Sequence, residues 1–539
     1  MTVRTEAADV VIIGAGASGA AAAWFLARKG HRVVVLEQGG WTRPESTLSD
    51  QEDWEYHRLR TVNPNPNVRA AESDYPIVDT DTPIRPLLFN GVGGSTILWS
   101  AHFPRFHPSD FRVRTLDGVA DDWPVTYDEL MPYYELNDRM MGVSGLAGDP
   151  AHPPRSARQS PPVPLGLGGA RLADAFDRLG WHWWPADTAV NSRPYRGRSA
   201  CNACGPCELG CPNGSKASVD VTYWPAALRA GVELVTHARA REITVGADGR
   251  ATGVTYLDRD GREHHQAGAT VMLAANAIGT ARLLLLSRSG PHPDGLGNAE
   301  GQVGRHLMHH PIATVTGVFD DRLDGYEGTT ACSIMSMQFY GTQRDEDFVR
   351  GYKLQALRSH GPALTAAGGF GLGMPWGVEH HGRFAEVFGR TVSLTVTAED
   401  LPDPDNRVML DPTVVDGSGI AAPSLHYRVS ENSRRILAHG IDRATEVMQT
   451  AGAREVLVSP LLEQGGFHLM GTARMGTDPT RSVVDRYGRV HGVPNVLVVD
   501  GGTFTTGGAM NPTSTIQAVA LWVADHLDRH GPSGQGDGR

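Results

Sequence analysis

The chain has 539 residues, of which 40% are hydrophobic and 20% charged, so a mainly disordered protein is excluded. It carries 60 acidic and 49 basic side chains, and the net charge of −11 argues against nucleic-acid binding. The 64 glycines must therefore serve tight turns and close backbone approaches in a folded protein.

The start of the chain predicts neither a secretory signal nor a membrane anchor. Residues 1–9 lack the positive charge with which a signal peptide begins. Residues 10–27 are uncharged and almost long enough to span a membrane, but glycines and a serine divide them into a strand, a turn and a helix. We therefore expect a cytoplasmic protein without membrane insertion.

A dinucleotide-binding fingerprint occupies this same segment. A buried strand over 9–13 ends in three spaced glycines, and a helix over 20–28 and a strand over 33–36 follow. Such glycines allow a tight turn and let the backbone approach a pyrophosphate, and the acid after the second strand accepts hydrogen bonds from ribose hydroxyls. The residues predicted to contact the nucleotide here are Gly14, Gly16, Ala17, Ser18, Gly19 and Glu37.

Two distant segments extend this site. Residues 271–277 predict a buried strand that leads into a helix, and residues 496–499 predict another strand that ends at Asp500. Ligands of open α/β sheets bind at the carboxyl edge of the strands, so Ala275, Asp500 and Gly501 join the predicted site. A site assembled from such distant residues suits a long cofactor.

The last predicted helix begins at Asn511-Pro512-Thr513, with asparagine as N-cap and proline at the first helical position. Apolar residues recur at helical spacing as far as Leu527, so one face is expected in the core. The N-terminus of this helix follows Asp500 closely, and its dipole would stabilise negative charge at the cofactor edge.

Three motifs complete the pattern: Asn90-Gly91-Val92-Gly93-Gly94-Ser95-Thr96, Phe467-His468-Leu469-Met470-Gly471-Thr472-Ala473-Arg474-Met475-Gly476, and the segment that opens the last helix. Together with the fingerprint they resemble the glucose–methanol–choline (GMC) oxidoreductases, which mostly oxidise alcohols with FAD. The resemblance implies an α/β protein in which a Rossmann-like FAD-binding domain carries an inserted antiparallel-sheet substrate domain.

The resemblance also implies how FAD is held. It adds to the cofactor site Gly93, Gly94, Ser95, Ala240, Asn511, Pro512 and Thr513. Some sugar oxidases of the family attach FAD through a histidine in the loop that holds the paired glycines. Here Thr96 follows in that loop and the nearest histidine is His102, so non-covalent FAD is expected.

His468 is the predicted catalytic base. Alcohol oxidation needs a positioned acceptor for the hydroxyl proton with a pKa near the working pH, which histidine supplies. By resemblance, His468 matches the base that removes this proton as hydride passes to flavin N5. Asn511 matches a position that hydrogen-bonds the substrate hydroxyl, and the alternative is that its side chain only caps the last helix.

Four of the five cysteines form a short cluster, Cys201, Cys204, Cys207 and Cys211, followed by a proline. The spacing is that of bacterial ferredoxins, and thiolates so spaced bind iron–sulfur clusters. By resemblance, Cys201, Cys207 and Cys211 match the ligands of a three-iron cluster in some sugar dehydrogenases of the family. A structural zinc and metal-free structural cysteines remain alternatives.

The predicted layout has an FAD-binding domain in three pieces, two insertions and a disordered tail. Its parts are 1–110, 212–310 and 461–530 for the FAD-binding domain, 111–211 for the insertion with the cysteines, 311–460 for the substrate domain, and 531–539 for the tail. Alternation of apolar and polar residues over 391–397 predicts a strand of the substrate sheet, and residues 406–410 support further sheet.

Two other features invite functional interpretations. The aromatic run 181–185 either stacks on a sugar ring or packs in the protein interior. The pairs His309-His310 and His380-His381 lack the spacing that places two metal ligands on one helix face, so surface or packing roles are expected.

The sequence thus predicts FAD-dependent oxidation of a CH–OH group of a sugar, glycoside or other polyol to the carbonyl. The expected partners are a small alcohol and an acceptor, either oxygen or another molecule. One alternative is a dehydrogenase that passes electrons through an iron–sulfur cluster to an external acceptor. Another is a non-redox lyase on the same scaffold.

Overall fold

The computed structural model describes residues 2–42, 44, 47–329 and 332–532. Of the tail predicted at 531–539, residues 533–539 lie outside the described part. The strands are β1 Thr2–Ile13, β2 Val33–Leu36, β3 Val78–Asp81, β4 Trp184–Pro185, β5 Glu233–Val235, β6 Arg239–Val245, β7 Ala251–Leu257, β8 Glu263–Leu273, β9 Ile312–Val318, β10 Ile334–Ser336, β11 Tyr352–Leu357, β12 Thr391–Ala398, β13 Arg407–Val415, β14 Ala421–His426, β15 Glu455–Ser459, β16 Arg489–Val490 and β17 Val493–Val498. The helices are α1 Ala17–Arg28, α2 Trp54–Leu59, α3 Pro66–Arg69, α4 Val113–Asp117, α5 Tyr127–Met141, α6 Gly166–Leu179, α7 Tyr223–Arg229, α8 Asn276–Leu286, α9 Pro362–Ala366, α10 His380–Val387, α11 Glu431–Thr450 and α12 Thr513–His530.

The first sheet is the nucleotide-binding half of the molecule. Its strands run in the order β16-β17-β8-β1-β2-β5, with β7 added to β8 and β6 added to β7. The four pairs from β17 to β5 are parallel. The end of β1, Val10–Ile13, is almost completely buried, as in parallel sheets covered on both faces. The Rossmann-like half is therefore confirmed.

Helix α1 begins at Ala17 rather than at the predicted Ala20. Gly14, with φ +106°, makes the turn after β1, and Gly16 is already the extended N-cap residue of the helix. The turn is therefore shorter than the glycine pattern suggests, and the second half of the fingerprint lies within the first helical turn.

The second sheet is antiparallel, with the strand order β15-β9-β12-β11-β10-β4, and confirms the inserted substrate sheet. Alternation in β12 predicted this strand, but all eight of its residues are buried. Leu394 and Val396 pack in a hydrophobic core with residues of α11, whereas Thr395 and Thr397 line an internal cavity on the opposite face. The polar face therefore lines a cavity rather than the protein surface.

The third sheet contains the segment predicted from residues 406–410. Strand β13 pairs with β14, and β14 pairs in parallel with β3 from the N-terminal part of the chain. The structure has the predicted strand, but this strand lies outside the substrate sheet. Residues of the β3 strand carry no apolar pattern that would predict this partner.

The last helix, α12, begins at Thr513, one residue later than predicted. Pro512 is its N-cap residue, and no side chain caps the helix. The prediction that Asn511 is the N-cap is therefore wrong, because the amide of Asn511 is hydrogen-bonded elsewhere. In the part of the chain that the structure describes, no helix is both long and apolar enough to cross a membrane.

Candidate active site

A cavity of about 680 Å³ runs from the carboxyl edge of the parallel sheet to the inner face of the antiparallel sheet. Most of the predicted site residues line it: Gly14, Gly16, Ala17, Ser18, Glu37, Gly94, Ser95, Ala240, Ala275, His468, Asp500, Gly501, Asn511, Pro512 and Thr513. Gly19 and Gly93 are not in its wall. Neither has room for a side chain, since a Cβ on Gly19 would lie 2.0 Å from the Gly14 carbonyl oxygen and a Cβ on Gly93 would lie 2.6 Å from Cδ1 of Ile97.

At the nucleotide end of the cavity, the glycine loops expose backbone without side chains, and we call this part of the site the cofactor cradle. A Cβ on Gly94 would lie 2.7 Å from the Cα of Gly16, so the two glycine loops touch. A Cβ on Gly14 would lie 2.5 Å from the Ala274 carbonyl oxygen. Side chains at these positions would fill the space beside the N-terminus of α1, where backbone amides and the helix dipole favour phosphate.

Two buried carboxylates shape this cradle. Glu37 accepts hydrogen bonds from the backbone amides of Ala15 and Gly39, both at 2.9 Å, and burial raises its pKa. Asp500 accepts hydrogen bonds from the Gly502 amide and the Thr280 hydroxyl, and burial raises its pKa to about 6. Both therefore hold turns of the cradle, and both also face the cavity.

His468 and Asn511 meet at the other end of the cavity. The side-chain amide nitrogen of Asn511, Nδ2, lies 3.2 Å from Nε2 of His468. The amide oxygen of Asn511 accepts a hydrogen bond of 2.5 Å from Nζ of Lys353 on β11, whose pKa burial lowers to about 7. The structure thus brings the two predicted catalytic residues together and adds a lysine.

A second histidine, His310, determines the tautomer of His468. Nε2 of His310 lies 2.7 Å from the Gly508 carbonyl oxygen, which can only accept, so Nε2 carries the proton. Nδ1 of neutral His310 is then an acceptor, and it lies 2.8 Å from Nδ1 of His468, which must donate. Nε2 of His468 therefore keeps its lone pair, beside the amide of Asn511.

Burial keeps this group neutral. Burial first, and then the nearby His310 and Lys353, hold the pKa of His468 well below its usual value of 6.5. Burial also lowers the pKa of His310 to about 4. The site therefore has an uncharged imidazole at neutral pH, whose unprotonated Nε2 accepts a hydrogen bond from the amide of Asn511.

His310 and Lys353 are the residues beside the predicted pair His468 and Asn511 that sequence reasoning missed. For the 309–310 pair, full burial excludes the expected surface role and leaves the expected packing role, in which His310 contacts His468. One signal was present for Lys353. The chain has only three lysines, and Lys353 interrupts an apolar strand pattern.

The cysteine loop lies beside the cavity. Its residues Pro206, Glu208 and Leu209 line the cavity, and buried Lys216 donates to the carbonyls of Cys207 and Ile97, each at 2.7 Å. None of the five cysteines, which all lie in the described part of the chain, is in a disulfide. Among the described residues, no three His, Cys, Asp or Glu side chains are arranged as a metal site, so the iron–sulfur cluster stays a prediction.

The aromatic run 181–185 lies away from the cavity wall. Trp181 packs edge-to-face on Phe339, and the indole nitrogen of Trp184 donates to the Leu146 carbonyl. These contacts favour the packing interpretation over a sugar platform. The pair 380–381 begins helix α10, where His381 is exposed.

The fold and the site together define a class: a two-sheet oxidoreductase with a dinucleotide cradle at one end of a cavity and a neutral histidine at the other. Family models described as "GMC oxidoreductase" match residues 90–312 and 402–520. A model described as "FAD dependent oxidoreductase" matches residues 9–47. The chain belongs to the GMC oxidoreductase family and is an FAD-dependent oxidoreductase.

Similar proteins support this assignment over the whole chain. The 2-methyl-1,2-propanediol dehydrogenase of Mycolicibacterium austroafricanum is 42% identical, covering 98% of this chain and 96% of that enzyme. The fructose dehydrogenase large subunit of Gluconobacter japonicus is 31% identical, covering 98% and 99%. Formate oxidase of Aspergillus oryzae shares the fold, with a TM-score of 0.63 at 16% identity over 96% of this chain and 98% of that chain.

The residues present fit FAD. The glycine loops leave room for a pyrophosphate beside α1, and Glu37 has acceptor capacity left for ribose hydroxyls. Ala240 in β6 and Ala275 before α8 line the same end of the cavity. The N-terminus of α12 closes the end that holds His468.

Proposed function

We propose that the enzyme oxidises a CH–OH group of a small alcohol to the carbonyl, with His468 as the base. The observation that carries the proposal is the tautomer of His468. Its Nδ1 proton is donated to His310, so its Nε2 lone pair is available beside an amide donor. This pair of an acceptor and a donor matches the two hydrogen-bonding needs of an alcohol hydroxyl.

The chain's own residues position the hydroxyl and take its proton. Nδ2 of Asn511 donates to the substrate oxygen, and the hydroxyl proton moves to Nε2 of His468 as the C–H electron pair leaves as hydride. Bound FAD supplies the acceptor for that hydride. The N-terminus of α12, directly after Asn511, stabilises negative charge at this end of the cavity.

The substrate class follows from the wall opposite the cofactor cradle. Gln355, Thr395 and Thr397 give the antiparallel sheet a polar inner face. The relatives named above act on a diol and on a sugar by name, and a third, 33% identical, is the paromamine 6'-oxidase of Streptomyces fradiae. We therefore propose a polyol, sugar or glycoside as the substrate.

A second candidate concerns the route of the electrons. A dehydrogenase with an iron–sulfur cluster at Cys201–Cys211 would pass them to an external acceptor, whereas an oxidase passes them to oxygen. The contact of the cysteine loop with the cavity supports the first route. Iron and acid-labile sulfide in the purified protein would support it, and their absence from protein prepared without oxygen would contradict it.

The base is tested by anaerobic reduction of the bound flavin. Loss of a general base typically costs 10²–10⁴-fold, so we expect the reduction rate constant of His468→Ala to fall by roughly that factor. His381→Ala, an exposed histidine on α10, is the matched control and should react like the wild type. FAD content must be equal in all three proteins. An unchanged rate for His468→Ala would exclude this residue as the base.

A further inference from the structure

Lys353 is a buried amine without an ion-pair partner. It is fully buried in β11, burial lowers its pKa to about 7, and among the described residues no carboxylate lies close enough to pair with it. Its amino group has at least two donors in either protonation state, and the structure gives it one acceptor, the amide oxygen of Asn511. Unpartnered buried donors are costly, so a protein that keeps them at a reaction site has a ligand for them.

Other polar side chains lie near Lys353. Gln355 follows two residues later on the same face of β11 and lines the cavity. His102 also lines the cavity, is 2% exposed, and neither of its ring nitrogens has a hydrogen-bond partner in the structure. Burial first, and then the nearby Lys353, hold the pKa of His102 well below its usual value of 6.5. These groups form a second polar cluster, which we call the Lys353 cluster: His102, Lys353 and Gln355.

The distance between this cluster and the base suits two neighbouring oxygens. One amide group, that of Asn511, separates Nε2 of His468 from Nζ of Lys353, with contacts of 3.2 and 2.5 Å on its two sides. The two nitrogens are thus at most about 8 Å apart. Two hydroxyls on adjacent carbons, each about 2.8 Å from its own nitrogen, span such a distance.

We propose that Lys353 is a specificity-determining residue that binds a second substrate oxygen, on the carbon next to the CH–OH that is oxidised. The substrate class is then a vicinal diol or its equivalent within a sugar. This inference rests on the proposed function, since it places the first hydroxyl at His468. Lys353 then has two roles, because it holds Asn511 and also binds the substrate.

The test uses ligands that cannot be oxidised. Pinacol carries two vicinal hydroxyls on tertiary carbons and has no CH–OH hydrogen, and 2,3-dimethyl-2-butanol is its analogue with one hydroxyl. Their dissociation constants are measured on the FAD-loaded enzyme by calorimetry. A hydrogen bond from the Lys353 amine, which is partly charged at neutral pH, contributes enough for the wild type to bind pinacol roughly 5- to 50-fold more tightly than the single alcohol.

In Lys353→Met, which keeps the side-chain length without the amine, this preference should fall to about threefold or less. Lys29→Met makes the same substitution at an exposed lysine directly after α1, and there the preference should stay as in the wild type. If Lys353 only positions Asn511, the substitution weakens both ligands equally and the ratio is unchanged, which overturns the proposal. Equal loss of the ratio in both variants, or no preference in the wild type, overturns it as well.

Because no turnover is needed, this outcome is independent of the base. Failure of His468→Ala to slow flavin reduction would remove the proposed chemistry but leave the binding ratio intact. A lost ratio with normal turnover of single alcohols would leave the chemistry and remove only the role of Lys353. The two failures are therefore distinguishable.

Discussion

The tautomer of His468 depends on His310, and replacing His310 tests that dependence. In His310→Phe the ring is kept, but the acceptor for the Nδ1 proton of His468 is lost. A buried donor without a partner costs about 1–3 kcal/mol. The tautomer of His468 with its proton on Nδ1 is then destabilised relative to the tautomer with its proton on Nε2, which has no lone pair left for the substrate.

The expected result follows from that energy. A penalty of about 1–3 kcal/mol lowers the fraction of the reactive tautomer, and with it the rate constant of anaerobic flavin reduction, by roughly 5- to 150-fold. His310→Gln is the matched control, because its amide oxygen can accept from Nδ1 of His468. It should recover most of the rate. FAD content, measured by visible absorbance, should be the same in all three proteins.

Two results would refute this reasoning. If His310→Phe reduced its flavin within about twofold of the wild-type rate, the Nδ1 contact would not select the tautomer. If His310→Gln were as slow as His310→Phe, the loss would come from packing around the ring rather than from the missing acceptor.

Two further predictions concern the pH profile and the cofactor cradle. Protonation inactivates the base, and burial lowers the pKa of His468, so the rate constant of flavin reduction should fall on acidification only below pH 6.5. A pH profile in which the rate constant falls with a midpoint at or above the ordinary histidine pKa would contradict this. Gly94→Ala should lose bound FAD, since its Cβ would meet the Gly16 backbone at 2.7 Å with φ at +54°. Gly214 has φ +67°, and a Cβ there would meet no atom within 4 Å, so Gly214→Ala should retain FAD at a cost of about 1 kcal/mol of stability. Equal FAD loss in both variants would show that backbone strain alone is responsible.

The nucleotide half could be predicted because its signals are local. Strand β2 has the predicted bounds 33–36, and the spacing of the glycines before α1 is itself the dinucleotide-binding motif. Each of these features depends on residues within a short stretch of chain. The family resemblance then supplied His468 and Asn511 from two further local motifs.

The other half of the site depends on how the two sheets pack. His310 lies just before β9, Lys353 within β11, and both meet the last loops of the chain only in the folded protein. No short-range pattern marks such a meeting. The sequence held only a weak clue: the chain has three lysines, and one of them, Lys353, interrupts an apolar strand pattern.

The order of strands in the parallel sheet has a consequence for synthesis of the protein. Strand β1 is central, yet its neighbour β8 begins only at Glu263, and β17, the next strand outward, begins at Val493. On the ribosome, the hydrophobic edge of β1 stays unpaired until half of the chain has emerged. The sheet becomes complete only when translation is nearly finished, so folding is late and slow, and the nascent chain exposes an edge prone to aggregation. Expression at low temperature or with chaperones in excess should therefore raise the yield of folded enzyme.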